Sequence, residues 1–394
     1  MKKLITFLAI LFSTTVFSQL KLSALEQQGT DFFKAGNLID AITSLEKALA
    51  ENPKSLYSMN ALATLYHEQK EEKKAYDMAD KGMKLSGGAG NFVYAKARAA
   101  TFLFEPKDAI SIIETFALKN KPDYMLLFVK GNAYNQLNDK QQAIAAYSQS
   151  IIDNPEFYKS YLERGKMFAD LQRYPQALKD YDKCIALDKD GAEAYNYLGI
   201  IYYKMGNLNE ALSNYNKCLA LNPKQSFALS NRAAVYRDKN QTDNAIVDFN
   251  AAISANPTND GAYFESAILY YKSKKFTKAS EMINKAISIQ PNFSNYYGEQ
   301  SQIYNAIDKY GEAISAANKA LQLDPKNPDG FMFKAVAYYN QEKFNEALNT
   351  ATMGISALPD YYLLYYLRAS IYRKLNKATL ADADDAKAKQ LAAK

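Results

Sequence analysis

A single spacing of 34 residues organises this sequence from Leu22 to its end. Four stretches that end in proline make the spacing visible, because Pro223, Pro257, Pro291 and Pro325 follow one another at that interval. Counted from Leu22, eleven repeats follow without an insertion, and these prolines fall at place 32. The repeats start at residues 22, 56, 90, 124, 158, 192, 226, 260, 294, 328 and 362. A fixed period of this length indicates an array of similar small units rather than one globular core.

The positions that recur in every repeat are those that pack two helices together. Place 20 is Ala in all eleven repeats, place 8 is Gly, Ala or Ser, and place 11 is aromatic except at Ala100. Places 4, 8 and 11 have the spacing of one helical face, and so have places 20, 24 and 27. Turn residues such as Gly36, Asn138, Gly206 and Asn240 stand between them, and proline ends the second segment. Each repeat is therefore predicted to form two antiparallel helices.

This pattern resembles the tetratricopeptide repeat (TPR), and the resemblance covers residues 22–394. It implies an all-α fold, an α-solenoid of about 11 helix hairpins stacked in a right-handed superhelix. It also implies that the first helix of each hairpin lines a concave groove and that the protein binds other proteins.

The third and the eleventh repeats depart from the pattern in ways that bear on the structure. In the third repeat Ala100 replaces the aromatic residue and Lys121 replaces the proline, and the stretch SGGAG precedes it at residues 86–90. We predict a softer joint near residues 86–90. The eleventh repeat carries Asp385 at place 24, where most repeats have an apolar residue. Because no further repeat stacks on it, we expect a polar, solvating cap there.

The N-terminus predicts export. Lys2 and Lys3 precede a run over residues 4–12 that is apolar except for Thr6, and small residues stand before Gln19. Residues 1–18 therefore have the pattern of a secretory signal peptide, and the run is too short to span a bilayer. The segment resembles leaders of exported Bacteroidota proteins. We expect the protein in the periplasm or secreted, without a membrane span.

Arginine and aspartate recur together in three repeats. Arg stands at place 7 and Asp at place 23 in the same three repeats and in no others. In an antiparallel hairpin these two places lie side by side, so we predict structural salt bridges within single repeats. Exposed pairs of this kind contribute less than about 1 kcal/mol each. The predicted pairs are Arg164–Asp180, Arg232–Asp248 and Arg368–Asp384.

Residues suited to catalysis or metal binding are scarce. His67 is the one histidine of the sequence; it lacks metal-ligand spacing, and we expect it to face solvent. Cys184 and Cys218 both stand at place 27 and are expected to be small packing residues rather than a disulfide. Phosphate-binding and nucleophile motifs are absent, and the net charge of +6 forms no basic stripe. We expect no enzyme, cofactor, metal or nucleic-acid partner.

The remaining functional prediction concerns places 2, 5, 9 and 12 of the first helices. By the resemblance, these places face the concave groove, and in the later repeats they are rich in aromatic residues. Such a groove suits an extended peptide or a partner helix. An alternative is that the rings only pack between adjacent first helices. The predicted groove residues are Asn196, Tyr203, Phe227, Arg237, Phe264, Tyr271, Met332, Tyr339, Tyr366 and Arg373.

These observations favour a protein–protein interaction scaffold or adaptor of the bacterial cell envelope. The sequence does not identify the partner, and homo-oligomerisation is also open. The alternative function is an envelope regulator that binds peptidoglycan or another glycan through a Tyr-rich face, since stacked aromatic rings suit sugars.

Overall fold

The structure is a computed structural model that describes residues 21–188 and 190–393. The predicted signal peptide at residues 1–18 lies outside the described residues. Within them the chain forms 22 α-helices and no β-strand. The helices are α1 Ala24–Lys34, α2 Leu38–Glu51, α3 Leu56–Glu68, α4 Glu72–Leu85, α5 Gly90–Phe102, α6 Pro106–Ala117, α7 Tyr124–Gln136, α8 Lys140–Asp153, α9 Tyr158–Asp170, α10 Tyr174–Leu187, α11 Ala192–Lys204, α12 Leu208–Leu221, α13 Ser226–Asp238, α14 Thr242–Ala255, α15 Asp260–Lys272, α16 Phe276–Ile289, α17 Ser294–Ala306, α18 Tyr310–Leu323, α19 Pro328–Asn340, α20 Phe344–Ala357, α21 Tyr362–Lys374 and α22 Ala378–Ala392.

Each 34-residue repeat is one helix hairpin, so the predicted all-α solenoid is confirmed. Odd-numbered helices are the first helices of the hairpins and even-numbered helices are the second. Contacts between α carbons divide the chain into two compact bodies, an N-terminal body up to Tyr197 and a C-terminal body from Leu198. None of the described helices is long and apolar enough to cross a bilayer.

Every hairpin turns at place 15, which adopts a left-handed conformation in all eleven repeats, with φ between +56° and +82°. The amide at place 16 then donates to the carbonyl at place 11, at 2.8 to 2.9 Å, in every repeat. This bond is the longer of the two that close a Schellman motif at a helix end. Glycine or asparagine fills place 15 in five repeats, but Lys70, Phe104 and Gln172 adopt the same strained conformation. The turn is therefore set by hairpin packing as well as by residue type.

The helices of one hairpin meet at places 8, 20 and 24. The place-20 alanines are buried throughout. A Cβ atom added at Gly165 would lie 2.7 Å from the Tyr181 ring, and Gly131 and Gly199 meet the rings of Tyr147 and Tyr215 in the same way. Glycine at place 8 therefore leaves room for a buried tyrosine at place 24 of the same repeat.

The third repeat compensates for its missing aromatic residue. Ala100 forms a small buried cluster with Ala109 and Ala133, and the half-buried Tyr76 of α4 packs against that cluster. Tyr76 also donates to Asp108 of α6 at 2.8 Å. Because the preceding repeat supplies a ring, the alanine at place 11 leaves the third repeat packed.

Helix contacts distinguish the two sides of the array. In each body some first helices of adjacent hairpins contact one another, as α5 contacts α7 and α17 contacts α19. No pair of adjacent second helices in the described residues makes comparable contacts. Where these contacts occur, the hairpins are packed more tightly on the side of their first helices.

Candidate functional site

We call the surface formed by places 2, 5, 6, 9, 12 and 13 of the first helices the first-helix face. All ten predicted groove residues belong to it. In the C-terminal body a polar network joins three of its helices, α11, α13 and α15. The Tyr203 hydroxyl donates to Asp238 at 2.6 Å, and Arg237 donates to Glu265 at 2.5 Å and to Asp238 at 2.9 Å. The Arg237 guanidinium thus connects adjacent hairpins.

Four predicted aromatic residues are half-buried by contacts with neighbouring rings. Tyr271 and Tyr339 each pack against the residue five positions later, Phe276 and Phe344, with ring centres 5.6 and 5.5 Å apart. Phe264 packs 4.9 Å from Tyr296 on the next first helix. Tyr366 lies edge-on to Tyr362. These rings contribute to packing within and between hairpins and keep part of their surface open.

The remaining predicted residues differ in exposure. Phe227 is 69% exposed, the most open apolar residue of the predicted set. Met332 is half-buried. Arg373 pairs with Asp385 of the terminal helix. Asn196 is buried and makes contacts of its own, so it is the least accessible residue of the predicted set.

Acidic side chains lie on the same face further along the C-terminal body. Burial raises the pKa of Glu299 to about 7, and the nearby Asp329 carboxylate adds to the increase. Glu299 Oε1 is buried and has no hydrogen-bond partner among the described residues. Burial also raises the pKa of Asp329. Two carboxyl groups are therefore held in surroundings that disfavour their charged forms.

The N-terminal body holds a cavity of about 430 Å³ on its first-helix face, which sequence reasoning missed. Its lining comes from α3, α5, α7 and α9 and includes the aromatic residues Tyr94 and Phe128 at place 5 and Arg98 at place 9. These are places already assigned to the groove, and the same inspection of the early repeats would have found them.

His67 also lines this cavity, which corrects the expectation of a solvent-facing histidine. Its Nδ1 lies 2.9 Å from Glu72, and its ring packs edge-on against Phe102 at 4.7 Å. Place 12 lies against place 17 across the hairpin turn, as it does for Tyr271 and Phe276. Burial, together with the positive charge of Arg98, lowers the pKa of His67. His67 is therefore neutral at pH 7.

The three Arg–Asp pairs are brought together within their hairpins. Each arginine binds both carboxylate oxygens of its aspartate at 2.7 to 2.9 Å. The aspartates are only 4 to 7% exposed, so these are nearly buried bidentate pairs rather than surface pairs. Each arginine also reaches a polar side chain at place 25 of the preceding repeat: Ser148, Asn216 or Thr352. The network thus joins neighbouring hairpins.

The two cysteines are free and buried. Burial raises the pKa of Cys184 to about 12, so its thiol stays protonated and unreactive at neutral pH. In the part of the chain that the structure describes, no three His, Cys, Asp or Glu side chains cluster as metal ligands would.

Hairpins of fixed length with small residues at their contacts define an α-solenoid, a scaffold fold that is typically non-catalytic and typical of protein–protein interaction. Family profiles described as TPR repeat or tetratricopeptide repeat match residues 26–82, 126–151, 165–206, 192–225, 236–303 and 294–327. The chain belongs to the tetratricopeptide-repeat family.

Solved structures align with the chain at low sequence identity. A monomeric mutant of IFIT1 with Gppp-AAAA aligns at 14% identity and a TM-score of 0.53, covering 93% of this chain and 90% of that one. Yeast Tom70 aligns at 17% identity and a TM-score of 0.43, covering 93% and 91%. PilF of Pseudomonas aeruginosa aligns at 18% identity and a TM-score of 0.49, covering 54% and 96%. A search of curated protein sequences found no match.

Proposed function

We propose that this protein is an interaction scaffold or adaptor of the bacterial cell envelope that binds a segment of a partner protein on its first-helix face. The observation that carries the proposal is the composition of that face. Closely packed first helices hold aromatic side chains that remain partly open, and Phe227 is 69% exposed. Aromatic residues are enriched at the centres of protein interfaces because they bury a large area.

The mechanism is recognition by a preorganised surface. The Arg237 network and the ring contact between Phe264 and Tyr296 fix first helices relative to one another before a partner arrives. A bound segment then loses conformational entropy mainly on its own side. The Lys2–Lys3 start and the apolar run after it support export, and we expect the mature protein to begin at Gln19.

Binding of peptidoglycan or another glycan is the second candidate. A flat, open tyrosine platform would favour it, because sugar rings stack on aromatic faces. The ring contacts of Tyr271, Tyr339 and Phe264 occupy part of those surfaces, which favours a protein partner.

A parallel capture experiment separates the two candidates. Immobilised protein is offered envelope proteins and purified peptidoglycan, and capture is compared between wild type, the Phe264→Ala/Tyr339→Ala variant and a Val247→Ala control on a second helix. We expect one or a few proteins to be retained by wild type and by the control, and lost by the double variant. Retention of peptidoglycan that the double variant loses would favour the glycan function instead.

A further inference from the structure

The cavity in the N-terminal body has apolar walls. Tyr94 of α5 is almost fully buried, and Phe128 of α7 is fixed by ring contacts with Tyr147 at 5.8 Å and Phe157 at 5.3 Å. Phe102, at the end of α5, is largely exposed and held on one side by the His67 ring. With about 430 Å³, the cavity has room for one or two side chains of a bound segment.

The guanidinium group of Arg98 lies in the same cavity, and one of its nitrogens lacks a hydrogen-bond acceptor among the residues that the structure describes. The Arg98 guanidinium sits 5.3 Å from the centre of the Tyr94 ring, within cation–π distance. Its Nε is buried, and no residue in the described part of the chain accepts a hydrogen bond from it. Buried polar groups nearly always have a partner. A ligand with an acceptor oxygen would supply one for this group.

The other charged groups of the cavity leave Arg98 as its dominant charge. His67 is neutral at pH 7 because burial and Arg98 lower its pKa, and Glu72 holds its Nδ1. Glu68 and Lys159 also line the cavity, and their opposite charges offset one another. The charged residues that line the cavity therefore sum to a positive charge, with the Glu72 carboxylate behind the His67 ring, and Arg98 is the group that would bind an anion.

We propose that this cavity binds an acidic side chain, Asp or Glu, of a partner protein segment, with an apolar neighbour of that residue seated against Phe102 and Phe128. The planar guanidinium fork of arginine matches the two oxygens of a carboxylate. An apolar neighbour seated against Phe102 and Phe128 would exclude water around the pair, which strengthens it. This inference rests on the proposed function and specifies the chemistry of the partner segment.

A peptide array tests the inference with the full chain. Nine-residue peptides, acetylated and amidated so that neither end is charged, carry Asp, Asn or Lys at the centre, flanked by Leu or by Ser. We expect the protein to retain the Asp–Leu peptides at least tenfold more strongly than the Asn–Leu or Asp–Ser peptides, and less strongly as salt increases. Preference for Lys, or equal retention of Asp and Asn, would overturn the inference. A carboxylate could also come from the end of a partner chain, and a matched peptide with a free C-terminus tests this source. If that peptide binds and the peptide with an internal Asp does not, the inference is wrong.

Variants assign the binding to the cavity. Arg98→Gln and Phe102→Ala should each weaken retention of the Asp–Leu peptide at least tenfold, and Arg98→Lys should weaken it less because the charge remains. Arg173→Gln and Phe104→Ala are matched controls, since Arg173 stacks on Phe168 outside the cavity and Phe104 is exposed two residues from Phe102. Circular dichroism verifies that each variant is folded.

The outcomes also separate this inference from the proposed function. If peptides bind but only Tyr271→Ala and Tyr339→Ala weaken them, the cavity is not the site and the scaffold function stands. If no peptide is retained by any folded form, both the inference and the proposed peptide binding are contradicted.

Discussion

The arginine–aspartate pairs show how burial changes the stability that is lost when a single residue is replaced. Asp248 is almost fully buried, whereas Arg232 keeps about a fifth of its side chain in solvent and can also reach Asn216. Removing the arginine therefore leaves a buried carboxylate without compensation, while removing the aspartate leaves a cation that can find water. The cost of breaking such a pair is about 3–5 kcal/mol when the remaining charge is buried.

Arg232→Gln should therefore destabilise the protein by about 3 kcal/mol, and Asp248→Asn by clearly less. Denaturant unfolding at pH 7 measures both, with Arg173→Gln as an exposed control that should change stability by less than about 0.5 kcal/mol. Equal, small effects of the two substitutions would show that the pair behaves as an ordinary surface salt bridge.

The raised pKa of Glu299 predicts that the stability of the protein depends on pH. Its pKa is about 7 in the folded protein against an ordinary value of 4.5, so its carboxyl is neutral in the folded state at pH 5 and charged at pH 8. Stability linked to the bound proton is present at low pH and is lost as pH rises through about 7. The facing groups are Asp329 and Glu265, which oppose ionisation, and Lys272, which favours it.

Glu299→Gln should therefore stabilise the protein at pH 8 by up to about 3 kcal/mol and have little effect at pH 5. Melting temperatures of wild type and variant across this range measure the difference. A gain that does not depend on pH would contradict the raised pKa.

At the scale of the element, the hairpin turn requires a left-handed backbone conformation at place 15. Many repeats have a residue there whose type rarely adopts that conformation. Lys70 and Phe104 have positive φ values, whereas Asn138 is of a type that tolerates them. Lys70→Gly should stabilise the protein by about 0.5–1 kcal/mol, because relief of backbone strain outweighs the added freedom of the unfolded chain. Asn138→Gly should gain less. Thermal unfolding tests the order, and destabilisation by Lys70→Gly would contradict it.

Because the residues at places 8 and 24 contact each other, a substitution at place 24 should restore stability that a substitution at place 8 removes. Gly165→Ala forces a methyl group into the Tyr181 ring and should cost about 1–3 kcal/mol. Adding Tyr181→Ile creates the combination Ala and Ile that Ala267 and Ile283 provide in the eighth repeat, and it should restore at least half of the loss. A double variant less stable than Gly165→Ala alone would show that the two places do not compensate.

The sequence predicts hairpin elements well because small residues and aromatic residues recur at fixed places. The packing of Tyr76 against the Ala100 cluster was not predictable in this way, since it joins different places of two repeats. The contact between His67 and Glu72 was missed for a related reason: helical spacing relates residues three or four apart, and this pair bridges a turn. Periodicity identifies elements, but contacts across turns and between repeats depend on their geometry.

At the scale of the whole molecule, the register predicts every hairpin, but the N-terminal cavity became evident only with the structure. Tyr94 and Arg98 lie in α5 and Phe128 lies in α7, and the stacking of hairpins brings these helices together. The joint at residues 86–90 stays a prediction. Gly87 and Gly88 both have positive φ values, and open space surrounds each of them.

We expect amides at residues 86–90 to exchange with solvent faster than those in the other loops between repeats, such as 222–225. Few packing contacts hold the joint, so local opening should cost less free energy there. Hydrogen exchange followed by mass spectrometry measures this, and equal protection in both loops would contradict a soft joint.

The claim that the first-helix face is the binding surface is tested most directly by photo-cross-linking in the producing cells. A photoreactive residue replaces Phe227 on first helix α13 or Val247 on second helix α14, in the same hairpin and with similar exposure, 69% and 65%. The account predicts that Phe227, and likewise Tyr271, captures one specific protein, that the Phe264→Ala/Tyr339→Ala variant abolishes the product, and that Val247 captures none. Cross-links to that protein from Val247 alone, or from both faces equally, would contradict it.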